Sequence, residues 1–229
     1  MAHQAPLAGI RILDLTIAMA GPLATQRLGE MGAEIIKIEA PGGGDFARHW
    51  LMADITKFGD ATCFVTLNRN KRSLVLDLKS DEGRKVLYRL VAGADAFIQN
   101  FRPRVASRLG IDYATLSAIN ERLVYASISG YGDEGPMVER PGQDLLVQCF
   151  TGLTANGGTR DGLPHASPLY MVDTVASHMA SEGILAGLVA RGRTVRDLSQ
   201  GWAGVRRRRP QAVLGMGGFA SGPGGLASW

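Results

Sequence analysis

Two periodicities alternate along the first 130 residues. Compact apolar runs stand at IRILDLT (10–16), EIIKIEAP (34–41), RSLVLDL (72–78), AFIQN (96–100) and LVYASISGY (123–131). Each has the length of a strand, and most lack the strict in/out alternation of a half-exposed one, which predicts burial on both faces. Between them the spacing turns helical. In AGPLATQRLGEMGA (20–33), Leu23, Leu28 and Met31 fall near helical spacing and Gly32 stands near the end. In DEGRKVLYRLVAGA (81–94), Ser80-Asp81-Glu82 supplies a cap and an acidic first turn, and Gly93 supplies the stop. Shorter helices are predicted near 104–110 and 112–120. Strands that alternate with helices predict an α/β fold on a parallel, doubly wound sheet.

From Gly132 to Pro168 the pattern is loop-like, with one helical piece near DLLVQCFTGL (144–153). SPLYMVDTVASHMASEGILAGLVAR (167–191) follows, and Val175, Met179, Leu185, Leu188 and Val189 fall broadly on one face of a helix predicted to reach about Arg193. Asp173 closes the extended stretch and opens that helix, so on local grounds it reads as a helix cap. After Thr194 no periodicity survives. Residues 195–229 lack Ile, Lys, Tyr, Glu, Asn and His and are rich in Arg, Gly and Pro. Such composition cannot bury enough surface to offset ordering entropy, and a disordered tail is predicted after a domain spanning 1–194.

Composition narrows the picture further. No apolar run approaches the roughly 20 residues that span a bilayer, so no membrane partner is expected. No basic segment followed by an apolar one opens the chain, and two cysteines, Cys63 and Cys149, make no disulfide framework and no metal-ligand spacing; the cytoplasm is the expected location. The net charge of +4 suggests nucleic acid until its placement is examined: it is carried by the arginines of 195–229, and residues 1–194 are neutral. No nucleic-acid partner is therefore expected. Walker A, HExxH, G-x-S-x-G and CxxC motifs are missing. Gly42 to Ala47 formally fits G-x-G-x-x-A, but follows the second strand and opens no clear helix, so a flexible glycine loop is the better reading. His3, His49, His165 and His178 form no cluster.

At the carboxyl ends of the predicted strands stand Lys37, Lys79, Asn100-Phe101-Arg102-Pro103 and Arg108. In an open α/β sheet the ligand crevice lies beyond these ends. Cations for phosphate and an aromatic for a ring would suit a phosphorylated, adenine-bearing ligand, and solvated loop charges would give the same pattern.

Six segments in order carry a resemblance that spacing does not supply: GIRILDLTIAMAGPLATQRLGEMGAEIIKIEAPGGGD (9–45), LNRNKRSLVLDLKSDEG (67–83), NFRPRVASRLGID (100–112), ASISGYGDEGP (126–136), RPGQDLLVQCFTGL (140–153) and LYMVD (169–173). Over roughly residues 8–194 the chain resembles the class III coenzyme A transferases, the CaiB/BaiF family. The resemblance implies a Rossmann-like N-terminal domain that takes CoA or acyl-CoA as substrate with no tightly bound cofactor. It implies a small carboxylic acid as second substrate, and subunits about twice this length that interlock as a homodimer. The family's catalytic aspartate falls on Asp173. Its CoA contacts fall on Ala18, Met19 and Ala20, on Leu76 and Lys79, on Asn100, Phe101 and Arg102, on Arg108, and on Gly142, Gln143 and Asp144. A basic position of some members is Ala40 here.

The chemistry expected of Asp173 is covalent catalysis, by attack of an ionised carboxylate on a thioester with no separate base. Backbone N–H groups at the helix N-terminus would hold its oxygens. The α-methylacyl-CoA racemases of the same superfamily carry a histidine where this chain has Gln143. An amide offers no usable proton, so acyl transfer is expected over racemisation. A third reading is a truncated CoA-binding remnant. The family continues past this point with a second domain, whereas the composition from Val195 onward is that of a divergent or out-of-frame tail.

Overall fold

The computed structural model describes residues 4–50, 56–57, 59–157 and 162–199. Seven strands appear among them: β1 (Arg11–Leu15), β2 (Glu34–Glu39), a short antiparallel hairpin of β3 (Thr56–Lys57) and β4 (Asp60–Ala61), then β5 (Lys71–Val75), β6 (Ala96–Gln99) and β7 (Val124–Ser127). The five longer strands make one parallel sheet in the order β5-β2-β1-β6-β7. Strand order reverses between β1 and β6, so the connections that leave these two strands turn to opposite faces and open the crevice of a doubly wound sheet at their carboxyl ends. The helices are α1 (Ala20–Glu30), α2 (Thr62–Leu67), α3 (Asp81–Ala92), α4 (Pro103–Leu109), α5 (Tyr113–Ile119), α6 (Asp144–Phe150), α7 (Leu153–Asn156) and α8 (Met171–Ser199), with a single 3₁₀ turn at Phe46–Arg48.

The pleat of the central strands sends alternate side chains into two cores. Ile12, Ile35, Ile98 and Val124 pack beneath α1 and α8 with Leu28, Ala180 and Ile184. Leu13, Phe97, Leu123 and Tyr125 pack on the opposite face with Leu87, Val91 and Leu116 from α3 and α5. Full burial of such side chains is worth about 1.5–3 kcal/mol each. The helix α8 approaches β7 closely at Gly187, where a Cβ would stand 2.7 Å from Val124 Cγ1. Ser181 Oγ donates to the Ala24 carbonyl and Arg27 Nη1 to Ser177 Oγ, which fixes α8 along α1.

Three local expectations change. The strand predicted at 72–78 spans only Lys71–Val75 and is largely exposed, because it is the sheet edge and Val75 has no neighbour on one side. The helix predicted to open at Asp173 starts two residues earlier at Met171, and it runs through Ser199 rather than ending near Arg193. Residues 200–229, the remainder of the predicted tail, lie outside the described residues.

Candidate active site

The turn between β1 and α1 stands at the strand-order reversal and is held from three directions. Asn100, one residue past β6, accepts the Ile17 N–H at 2.9 Å and donates to the Ile17 carbonyl at 2.8 Å. Asp45 accepts the N–H of Ala18, whose φ of 66° lies in the left-handed region that alanine rarely adopts. Lys37 Nζ donates to the Thr16 carbonyl at 2.7 Å and pairs with Asp45 at 3.0 Å. Lys37 is thus fully buried and is no ligand cation; its charge is spent on an internal pair. Beneath it, Asp14 accepts from Thr16, Thr25 and Lys71. Burial opposes its ionisation, but Lys71, Lys37 and the two hydroxyls outweigh that and hold Asp14 well below the usual carboxylate range.

The glycine loop is anchored at its far end. Gly42, Gly43 and Gly44 all have positive φ, and a Cβ at Gly44 would stand within contact distance of Glu39 Oε1, which ordinary residues cannot match. Asp45 then caps the 3₁₀ turn through the Ala47 N–H at 3.0 Å. The loop expected to be flexible is therefore tied to the β1–α1 turn through a single buried carboxylate.

Asn100, Phe101 and Arg102 lead into a cavity of about 110 Å³ whose walls also include Ala20, Ser129, Gly130, Val138, Arg140, Gly142, Val172 and Asp173. Two loops close one side by backbone-to-backbone packing: a Cβ on Gly130 would lie 2.3 Å from the Gly142 Cα, and one on Gly142 2.1 Å from the Gly130 Cα. Beyond Arg102 and Val138, which line both spaces, opens a wider groove of about 680 Å³ with Arg104, Ser107, Arg108 and Glu139. Arg104 pairs with Glu139, whereas Arg102 and Arg108 have no ion-pair partner among the described residues. The arrangement is a narrow, partly apolar end at Asp173 and a broad basic end at α4.

Asp173 is part-buried in the first turn of α8, and burial, with the nearby Asp144 carboxylate, pushes its pKa up to about 6. Its own N–H donates to Asp144 Oδ2 at 2.9 Å. Among the described residues nothing donates to the Asp173 carboxylate. Asp173 is therefore not the cap of its helix; Asp144, from another element, fills that role. The expected grip of helix N–H groups on the Asp173 oxygens is also missing among the described residues.

Of the residues singled out in sequence, Ala20, Asn100, Phe101, Arg102, Gly142 and Asp173 meet on the cavity, and Arg108 joins Arg102 on the adjoining groove. Ala18 and Met19 lie in the clamped turn before α1. Gln143 is exposed at the N-terminus of α6 and does not line the cavity, and Asp144 is buried. Leu76 and Lys79 follow the edge strand β5, where Leu76 packs on the second core and Lys79 is exposed. Sequence reading missed Arg140, Ser129 and Gly130 as wall residues, and Asp45 and Gln148 as supports, although all but Gln148 sit in Gly/Pro-rich loops of the kind that border sites. His49, His165 and His178 are exposed, none of them lines the cavity, and His3 lies outside the described residues. No group of described residues has the composition to hold a metal ion, and no described helix is long and apolar enough to cross a membrane.

Comparison with known proteins decides the family. The model of CoA-transferase family III matches residues 7–197. The chain belongs to that family. It is 39% identical over 193 residues to the succinyl-CoA:glutarate CoA-transferase of Mus musculus, covering 84% of this chain and 44% of that protein. To the formyl-CoA:oxalate CoA-transferase of a Bradyrhizobium species it is 38% identical over 190 residues, covering 83% and 44%. Among solved structures, a CAIB/BAIF family protein from Brucella suis superposes with a TM-score of 0.79 at 36% identity, covering 84% of this chain and 51% of that one. A hypothetical protein from Mycobacterium tuberculosis gives 0.77 at 38% identity, with coverage of 84% and 53%. The chain spans about half the length of the relatives it matches. The family match ends at residue 197, near the end of α8.

Proposed function

We propose that this chain carries the CoA-binding groove and the nucleophile of an acyl-CoA:carboxylate CoA-transferase, with Asp173 forming the covalent intermediates. The observation that carries the reading is a carboxylate of raised pKa, without hydrogen-bond donors among the described residues, at the narrow end of a groove whose broad end holds the unpaired Arg102 and Arg108. Arginines suit the phosphates of CoA, which would leave the narrow end for the acyl thioester. With a pKa of about 6, Asp173 is about nine-tenths ionised at pH 7. It therefore needs no separate base, and it is a more basic oxygen nucleophile than a solvated aspartate.

The steps balance without a proton donor. An Asp173 oxygen attacks the thioester carbonyl carbon, the C–S bond breaks, and a mixed anhydride and CoA thiolate result. The thiolate attacks the Asp173 carbonyl and expels the donor acid as its carboxylate, leaving an aspartyl-CoA thioester. The acceptor carboxylate attacks that thioester to give a new anhydride and thiolate, which attacks the acceptor's acyl carbon and restores Asp173. Each hard substitution is divided into easier ones. The acceptor is a small carboxylic acid, and a homodimer of longer subunits, working in the cytoplasm, would complete the site. Gln143, exposed, and a cavity wall with no histidine among the described residues support transfer over racemisation, which needs two proton-transfer groups about one carbon.

The test is exchange of CoA between succinyl-CoA and a panel of carboxylates, with Asp173→Ala beside the unaltered chain. Loss by a factor on the order of 10³ or more in the variant is expected. Unchanged exchange in Asp173→Ala would overturn the mechanism, α-proton exchange into heavy water would favour the racemase, and CoA binding without turnover would favour a remnant.

A further inference from the structure

One carboxylate beside the cavity has no part in the transfer steps. Asp144 opens α6, is buried, and has no cationic partner among the described residues. Burying an anion without an ion pair is costly unless its oxygens are hydrogen-bonded, so its contacts repay attention. One oxygen accepts the N–H of Asp173 at 2.9 Å; the other accepts from Gln148 Nε2, one helical turn along α6. Gln148 is itself 2% exposed. Its Oε1 accepts the Ser167 N–H at 2.9 Å, and its Nε2 approaches the Leu169 carbonyl at 3.4 Å. Two side chains of α6 thus lace the backbone of residues 167–173 at three points.

We propose that Asp144 and Gln148 are positioning residues that fix the place of Asp173 and hold an anion beside it. A helix usually satisfies its first N–H groups with a neighbouring Ser, Thr, Asp or Asn. The residues just before α8 are Leu169 and Tyr170, which cannot serve. The donor of Asp173 is satisfied instead across 29 positions of sequence. The carboxylate's backbone is thereby referenced to α6 rather than to the loop that leads into α8. Carrying the bond on an anion adds a second effect, since like charge disfavours ionisation of Asp173. The other charged groups around it are Arg102 and Arg140 on the cavity wall, Arg27 of α1 bonded to Ser177, and the exposed His178 and Glu182 on α8 itself. Of all these, Asp144 alone combines a direct bond to the Asp173 backbone with the charge that perturbs it.

The functional meaning of this lacing rests on Asp173 being the nucleophile, but its test does not. In the full chain with ¹³C-labelled aspartate, carboxyl shifts read the titration of Asp173, and amide hydrogen exchange reads the order of 167–173. Asp144→Asn, which removes charge and keeps an acceptor, is expected to lower the Asp173 midpoint by about half a pH unit or more. Gln148→Ala, which keeps the charge and cuts the lacing, is expected to speed exchange of the Ser167 and Asp173 amides by about tenfold while leaving the Asp173 titration within a few tenths of a unit. An unmoved midpoint in Asp144→Asn, or unmoved amide exchange in Gln148→Ala, sinks the inference. Neither variant alters a residue of the apolar cores, and dispersed amide spectra verify their folds. Because no substrate is present, a failure here is separable from a failure of the transfer mechanism.

Discussion

Asp173 carries a stability cost that the proposed nucleophile role would explain. Its folded pKa of about 6 lies above the unperturbed aspartate value, so the native state favours the protonated form. Its contribution to stability is therefore full below about pH 4 and is lost as pH rises through 6. At neutral pH the ionised carboxylate opposes folding by an amount on the order of 2–3 kcal/mol before allowance for solvent. Asp173→Asn is expected to raise the urea midpoint at pH 7.5, with the gain shrinking through pH 6 and gone near pH 4. A variant less stable than the parent at pH 7.5 would contradict this. A residue that stabilises by its absence is a sign of placement for function rather than for folding.

The element most tightly specified is the turn from β1 to α1. Asp45→Ala would leave Lys37 buried without its anion, an error that costs about 3–5 kcal/mol, and would free the Ala18 N–H. The expected result is a large fall in the unfolding midpoint together with weaker CoA binding by calorimetry. Gly142→Ala acts differently. Its Cβ would collide with the Gly130 backbone and part the two loops that wall the cavity, while the sheet is untouched. CoA affinity should drop about tenfold or more with a change in melting temperature smaller than that of Asp45→Ala. These elements also show what sequence could and could not disclose. The five strands of the main sheet and the alternation of elements were legible, because apolar runs and chain order determine them, whereas the gathering of Asn100, Phe101, Arg102 and Asp173 was legible only through the family resemblance. The role of Lys37 was not. A lysine at the carboxyl end of a strand looks like a ligand cation until its anion, eight positions on beyond a glycine loop, is seen to fold back onto it. The capping of α8 escaped for the same reason, since Asp144 lies 29 positions away and local cap rules do not search so far.

On the scale of the whole molecule, the two faces of the sheet are covered but α6 and α8 are not. Met171, Val175 and Met179 recur every fourth residue along α8 and are 41–46% exposed, while Leu145, Leu146 and Phe150 stand open on α6. An apolar surface of this kind, in a chain that spans half the length of its relatives, favours association. Replacing Met171, Val175 and Met179 together with Gln, Thr and Gln should reduce light scattering by concentrated protein and leave its melting temperature within a few degrees. The Arg/Gly/Pro-rich segment from residue 200 onward lies outside the described residues.

Asn100 has one more consequence. The β1–β6 ladder ends at the pairing of Leu15 with Gln99, yet the Asn100 amide gives to the Ile17 carbonyl and takes from the Ile17 N–H, as a strand residue would. A side chain supplies the sheet with an extra rung. The floor of the crevice is therefore extended by one amide rather than by the main chain, so Asn100→Ser, which cannot span both groups of Ile17, is expected to loosen it without altering strand register. With both ends of its amide on Ile17, Asn100 shapes the cavity chiefly through where it places Phe101 and Arg102.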